Sequence, residues 1–247
     1  MKKSIAIFLF LTAALVLSAC GTDLHIGNNQ VITGSGKVVT QDVTVSGFNA
    51  VTMGGVGELT ITQGDTESLS IEAEDNLLAV MENKVSGGTL VLGTQPGVTI
   101  TPTRPIRYTL MVKDLSKLEL AGLGDTHMDA LKTEGLDLVI SGSGNLALKN
   151  LSASDVHVTI SGLGSMELAG QASSLTLDLK GSGNLNARDL PVKDAKVKIS
   201  GLGGATIWSS DTLDIQISGA GNLEYYGSPK VSQSVTGLGN IKSLGAK

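Results

Sequence analysis

Few residues in this sequence could carry chemistry. The 247 residues contain one cysteine, Cys20, and three histidines, His25, His127 and His157. No two histidines stand at the spacing of a helical zinc motif, so no metal site is read from them. A Ser-His-Asp hydrolase needs a histidine near both a nucleophile and an acid, and none is so placed. Acids and bases fall one repeat apart, Asp178 beside Lys198 and Lys196 beside Asp214, as ordinary cross-strand pairs do. The run "EAED" (72–75) reads as a solvated acidic stretch. No catalytic residue, metal or cofactor is expected.

Cys20 has a clearer chemistry. It closes the segment "MKKSIAIFLFLTAALVLSAC", a basic tip followed by an apolar run from Ile5 to Leu17. That run is short for a membrane span and reads as a signal peptide over residues 1–19. "LSAC" resembles a bacterial lipobox, which implies acylation of Cys20 and attachment to a membrane through lipid. Several acyl chains hold a protein stably, since each buried CH2 adds about 0.8 kcal/mol. Gly21, rather than an aspartate, follows Cys20. In lipoproteins of this type that implies sorting to the outer membrane, on either its periplasmic or its cell-surface side. Losing Lys2 and Lys3 with the leader takes the formal charge from −5 to −7. An acidic body without a basic run is a poor nucleic-acid ligand.

The remaining chain is built on a repeat. "GGVGEL" (54–59) is followed by "AGLGDT" (121–126), "SGSGNL" (141–146), "SGLGSM" (161–166), "KGSGNL" (180–185), "SGLGGA" (200–205), "SGAGNL" (218–223) and "TGLGNI" (236–241). From Gly122 onward the first glycines recur every 18 to 20 residues. Apolar residues stand two before each of these glycines, as Ile140, Ile160 and Leu179 do, and alternate with polar ones on both sides. Period two over about six residues is a strand signature, and a fixed period near twenty marks a solenoid. The expected fold is all-β: a single-stranded, right-handed parallel β-helix with coils of about 20 residues and an irregular N-terminal portion. An antiparallel sandwich or barrel is the rival. The glycines are expected to permit corner dihedrals that a β-carbon forbids. Asn145, Asn184, Asn222 and Asn240 suit left-handed backbone and amide bonding between coils.

Two sets of side chains follow from this frame. The residue between the glycines alternates Leu123, Ser143, Leu163, Ser182, Leu202, Ala220, Leu238. Packing of each leucine over a smaller neighbour would explain the alternation. A ladder of exposed leucines Leu123, Leu163, Leu202 and Leu238, forming a contact surface, is the other reading. Seven residues after the first glycine stand Arg188, Trp208 and Tyr226, with Tyr225 adjacent. They form either a stabilising surface ladder or a binding patch for a glycan or an envelope protein.

The chain divides into a leader (1–19), an acylated tether (20–40), an irregular solenoid part (41–120) and regular coils with a C-terminal cap (121–247). Within the irregular part, 74–85 is expected to hold a helical turn or two. Gln233 and Ser243 put polar groups where other coils carry apolar ones, a finish suited to an end coil.

"VSGFNAVTMGGVGELTITQGDTESLSIEAEDNLL", together with the recurring "SGSGNL" and "SGLGS" motifs, resembles the auto-transporter adhesin head GIN domain family over roughly residues 40–240. The resemblance implies a β-helical fold and a non-enzymatic role in adhesion or surface scaffolding, and it supplies no catalytic residues. Nothing after residue 247 in this sequence could form a membrane barrel, so the lipid is expected to do the anchoring. Carbohydrate binding or turnover on the Arg188, Trp208 and Tyr226 face is the alternative.

Overall fold

A computed structural model describes residues 30–247. The leader, Cys20 and His25 lie outside the described residues. In chain order the irregular part contains β1 (Gln30–Thr33), β2 (Val38–Val43), β3 (Ala50–Met53), β4 (Glu58–Gln63), β5 (Ser68–Glu74), α1 (Asp75–Leu78), β6 (Met81–Ser86), β7 (Thr89–Thr94), β8 (Val98–Thr101) and β9 (Arg107–Val112). The regular part contains β10 (Lys117–Leu120), β11 (Asp125–Lys132), β12 (Gly135–Ile140), β13 (Asn145–Ile160), β14 (Met166–Leu179), β15 (Leu185–Ile199), β16 (Ala205–Ile217), β17 (Leu223–Tyr226), β18 (Lys230–Val235) and β19 (Ile241–Gly245).

Parallel pairing stacks the coils into a β-solenoid. Leu120, Ile140, Ile160, Leu179, Ile199 and Ile217 pair in unbroken register, and all six are buried. A second column runs through Leu146, Met166, Leu185, Ala205 and Leu223 on the far side of the glycine corner. Each fully buried aliphatic side chain contributes about 1.5–3 kcal/mol relative to exposure, so the columns carry the stability of the stack. The side-chain alternation of a strand sends every second residue out: Asp137, His157, Thr176, Lys196 and Asp214 share one outward row.

The glycines answer to a steric demand different from the expected one. Of the motif glycines, only Gly57 and Gly124 have positive φ. What the rest avoid is collision with the preceding coil. A Cβ on Gly162 would lie 1.9 Å from the carbonyl oxygen of Gly142, and one on Gly201 would lie 2.0 Å from that of Gly181. The second glycines are equally tight: Gly164 meets the Gly144 oxygen at 1.8 Å, and Gly203 meets the Gly183 oxygen at 1.8 Å. The residue between the glycines donates its N–H to the same first-glycine oxygen, Leu163 to Gly142 at 3.0 Å and Leu202 to Gly181 at 3.0 Å. The asparagines do not take up left-handed backbone, since no non-glycine residue among those described has positive φ, but their amides do bond between coils. Their side-chain oxygens accept the next coil's backbone N–H: Asn145 from Ser165, Asn184 from Gly204 and Asn222 from Asn240.

The 67-residue gap between the first two motif glycines is a detour. β3 and β4 form a coil that β10 and β11 continue on one side. On its other side lie β7 and β9, which come later in sequence yet stack outside it. Antiparallel β5, β2 and β6 close this end. Among the described residues, β1 pairs with β8 and β2 with β5, so strand pairing already occurs within the stretch 30–40. The helical stretch expected in 74–85 is one turn, α1, before the chain returns to strand in β6.

The "EAED" run is bound rather than solvated. Glu72 pairs with Arg107 at 2.7 Å, and Asp75 accepts from Ser35 and pairs with Lys37. Glu74 is fully buried and accepts the backbone N–H groups of Gly36 and Thr103 and the Thr103 hydroxyl. Gly34 leaves room for this carboxylate, as a Cβ there would meet Glu74 Oε2 at 1.9 Å. The Thr103 hydroxyl bond above all, with the backbone donors, outweighs burial and holds the Glu74 carboxyl below its ordinary range. At the opposite end, β18 is exposed throughout, with Gln233 over Ile215 and Ser243 over Tyr225.

Two outcomes follow. Gly183→Ala should destabilise by about 3 kcal/mol or more, because its Cβ would sit 1.9 Å from the Gly164 oxygen and 2.8 Å from Ile160 Cγ2. Gly135→Ala, with nothing within 4 Å, should be neutral or stabilising. Thermal unfolding of the two variants checks the contrast. A carboxyl with a depressed folded pKa stabilises above its unfolded pKa and loses that contribution as pH falls through the folded value. Glu74→Gln should therefore lower the unfolding midpoint at pH 7 and flatten its decline as pH falls through and below the ordinary glutamate range, measured by circular dichroism.

Candidate functional site

The site-forming features gather on the side of the solenoid that follows the glycine corner. At the corner, Leu123, Leu163, Leu202 and Leu238 are 55, 68, 71 and 90% exposed. The packing explanation for the alternation is therefore wrong: each leucine projects into solvent, and Ser143, Ser182 and Ala220 leave gaps between them. The physical reason is the glycine contact itself. It presses the corner backbone onto the coil below, so the bracketed side chain can point only away. Two rungs separate successive leucines, a spacing of about 9–10 Å.

Beyond the corner runs an open groove. It is lined by Asn184, Gly204 and Asn222 of the corner row and by Asn186, Thr206 and Glu224. Toward the N-terminal end it continues past Asn145, Ser165 and His127. The groove offers amides, hydroxyls and the charged or titratable side chains of Asp125, His127, Glu167, Glu224 and Lys242, the last two paired at 3.3 Å. His127 is exposed, and His157 lies in a different row with its Nδ1 3.8 Å from Asp137.

The third feature arises from an irregularity. Ala187 pairs with Ile207, but the next paired residues are Pro191 and Trp208. Arg188, Asp189 and Leu190 thus bulge from β15 without partners on β16. Leu190 turns inward and is buried, whereas Arg188 and Asp189 are exposed. A bulge of this kind re-aims side chains at a sheet surface. Trp208 and Tyr226 are in register on adjacent rungs. Gly227 allows the strand to turn there with φ +97°, where a Cβ would meet the Ser209 oxygen at 2.0 Å. The Arg188 guanidinium donates to the Tyr226 phenol oxygen at 2.8 Å and lies 5.7 Å from the ring centroid.

Tyr225 does not belong to this patch. It pairs with Ile207, has the opposite parity and packs against the core. Lys247, beyond β19, does belong. Its ammonium lies 5.0 Å from the Trp208 ring centroid and 5.4 Å from that of Tyr226. It donates to the Arg188 carbonyl at 2.7 Å and pairs with Asp189. The Lys247 hydrogen bond, the largest influence, holds the Asp189 carboxyl below its ordinary range, with Arg188 adding to it. One signal of the bulge was present in the sequence: the repeat step falls from 20 to 18 residues after Gly201.

Comparison with known proteins places the fold and the family. No curated protein matches the chain. Among solved structures, a "putative adhesin" of Bacteroides fragilis is 30% identical with a TM-score of 0.81, over 86% of this chain and 100% of that one. A "putative lipid binding protein" of Parabacteroides distasonis is 22% identical with a TM-score of 0.74, covering 87% and 100%. A "putative adhesin" of Parabacteroides merdae is 23% identical with a TM-score of 0.65, covering 87% and 99%. The last two share the fold. The family described as "Putative auto-transporter adhesin, head GIN domain" matches residues 47–229, which takes in the detour, every glycine corner before Gly237, and Arg188, Trp208 and Tyr226, and the chain belongs to that family.

Proposed function

We propose that this protein is a non-enzymatic, lipid-anchored module of the cell envelope that serves adhesion, scaffolding or another interaction with an envelope protein or glycan. The observation that carries this reading is the row of exposed leucines along the glycine corner. Large apolar side chains held in solvent at constant spacing on a rigid edge cost solubility, and such surfaces mark interaction sites. Family membership supports adhesion as the class of role. Attachment rests on the sequence alone: "LSAC" supplies Cys20 as the acylated residue, and Gly21 directs the anchored protein to the outer membrane.

A second reading, glycan binding or carbohydrate turnover at Arg188, Trp208 and Tyr226, is favoured by the adjoining groove with Asn186, Thr206 and Glu224. An indole and a phenol beside amides and a carboxylate suit the apolar and polar faces of a sugar. In this structure, however, Lys247 lies on the two rings.

Fractionation and adhesion assays test the proposal. Cys20→Ser should move the protein from the membrane to the soluble fraction and abolish labelling with a palmitate analogue. Equal membrane retention and labelling would refute the anchor. Leu163→Asn with Leu202→Asn should reduce adhesion of cells bearing the protein by about tenfold or more, with stability unchanged within about 0.5 kcal/mol, as for exposed sites. Unchanged adhesion would remove the leucine row from the account. Protease shaving of intact cells assigns the membrane face and thereby the partners within reach.

A further inference from the structure

We infer that Trp208, Tyr226 and Asp189 form a binding site for a primary alkylammonium group, and that Lys247 is its internal, displaceable occupant. The inference does not depend on the glycan reading of the same face. It starts from how completely the Lys247 ammonium is satisfied. Two aromatic faces lie within 5.4 Å of it, a carboxylate pairs with it, and a backbone carbonyl accepts from it at 2.7 Å. Its side chain is 29% exposed, against 45–75% for the other lysines in ion pairs. These are the elements of a built cation site: quadrupoles, a fixed negative charge and an acceptor.

The chain assembles the site without Lys247. Asp189 and the Arg188 carbonyl come from the β15 bulge, Trp208 from β16 and Tyr226 from β17. Arg188 fixes the Tyr226 ring by donating to its phenol oxygen. Lys247 enters on a flexible four-carbon stem beyond β19, which ends at Gly245. Its removal uncovers the two ring faces, the Asp189 carboxylate and the Arg188 carbonyl, with the Tyr226 ring still held by Arg188. The Asp189 carboxylate and the Arg188 carbonyl both need a donor, so a primary ammonium is preferred over a quaternary one, and a neutral isostere gains neither charge interaction.

Trp208 is the only tryptophan in the chain, so its emission reports on this site alone. The full chain with Lys247→Ala is titrated with n-butylammonium. Saturable change in Trp208 emission is expected, with tetramethylammonium weaker and n-butanol inactive. Wild type should need about tenfold more ligand, because the tethered lysine competes at a millimolar effective concentration. Adding Asp189→Asn to Lys247→Ala should weaken binding by about tenfold or more. Titrations with Nα-acetyl-lysine amide, O-phosphoethanolamine and glucosamine distinguish protein, lipid headgroup and amino sugar as the source of the ammonium, and at least one should saturate.

Absence of a saturable response to n-butylammonium in Lys247→Ala, with a wild-type circular dichroism spectrum, would overturn the inference. An equal response to n-butanol, or failure of all three biological amines, would do the same. Lys247→Gln supplies the same test if the alanine variant does not fold. Saturation by glucose without saturation by n-butylammonium would favour the glycan reading and overturn this one.

Discussion

One carbonyl oxygen per coil organises this protein. The oxygen of each first corner glycine takes the N–H of the next coil's bracketed residue, and it faces that coil's own first glycine where any β-carbon would collide. A Cα–H directed at a carbonyl adds a weak attraction, but its main effect is on distance. Two glycines per corner let successive backbones meet, and the contact recurs from Gly122 to Gly239. Register follows, because a slip of one residue would put a Cβ where only hydrogen fits. The aliphatic columns on both sides then stack side chain on side chain. The same contact pushes the bracketed residue outward, so the leucine row is a by-product of the steric rule that builds the fold.

Departures from the repeat build the remaining features. The detour between β4 and β10 places a coil outside the first one and covers it with antiparallel strands. Glu74 locks that end, joining the β1–β2 turn to the loop before β9 through one buried carboxylate. At the other end, β15 residues without partners on β16 create the cluster of Arg188, Asp189, Trp208, Tyr226 and Lys247. The regular coils provide a flat scaffold, and the irregular ones provide chemistry.

The sequence carried the periodic part of this well. Ile140, Ile160 and Leu179 stack as their spacing from the glycines requires, because inward columns depend only on parity and repeat length. The role of the glycines was harder to read, since a dihedral demand and a close approach select the same residue. The leucine row stayed open for a related reason: a glycine corner interrupts the parity that would assign inside and outside. Glu74 looked solvated because its partners, Gly36 and Thr103, are 38 and 29 residues away, on segments that no repeat relates to it. Tyr225 and Tyr226 are adjacent in sequence and face opposite sides. Lys247 joins a cluster whose other members were visible, but it reaches them only because the bulge leaves Asp189 without a partner on β16.

Residue-resolved amide hydrogen exchange tests the corner contact most directly. Leu163 and Leu202 have exposed side chains, yet their N–H groups donate to glycine oxygens of the preceding coil. They should exchange as slowly as the amides of the buried columns, such as Ile160, opening only with the stack itself. Exchange at the rate of an open surface turn would contradict the account, since it would mean that the coils do not meet at the glycines.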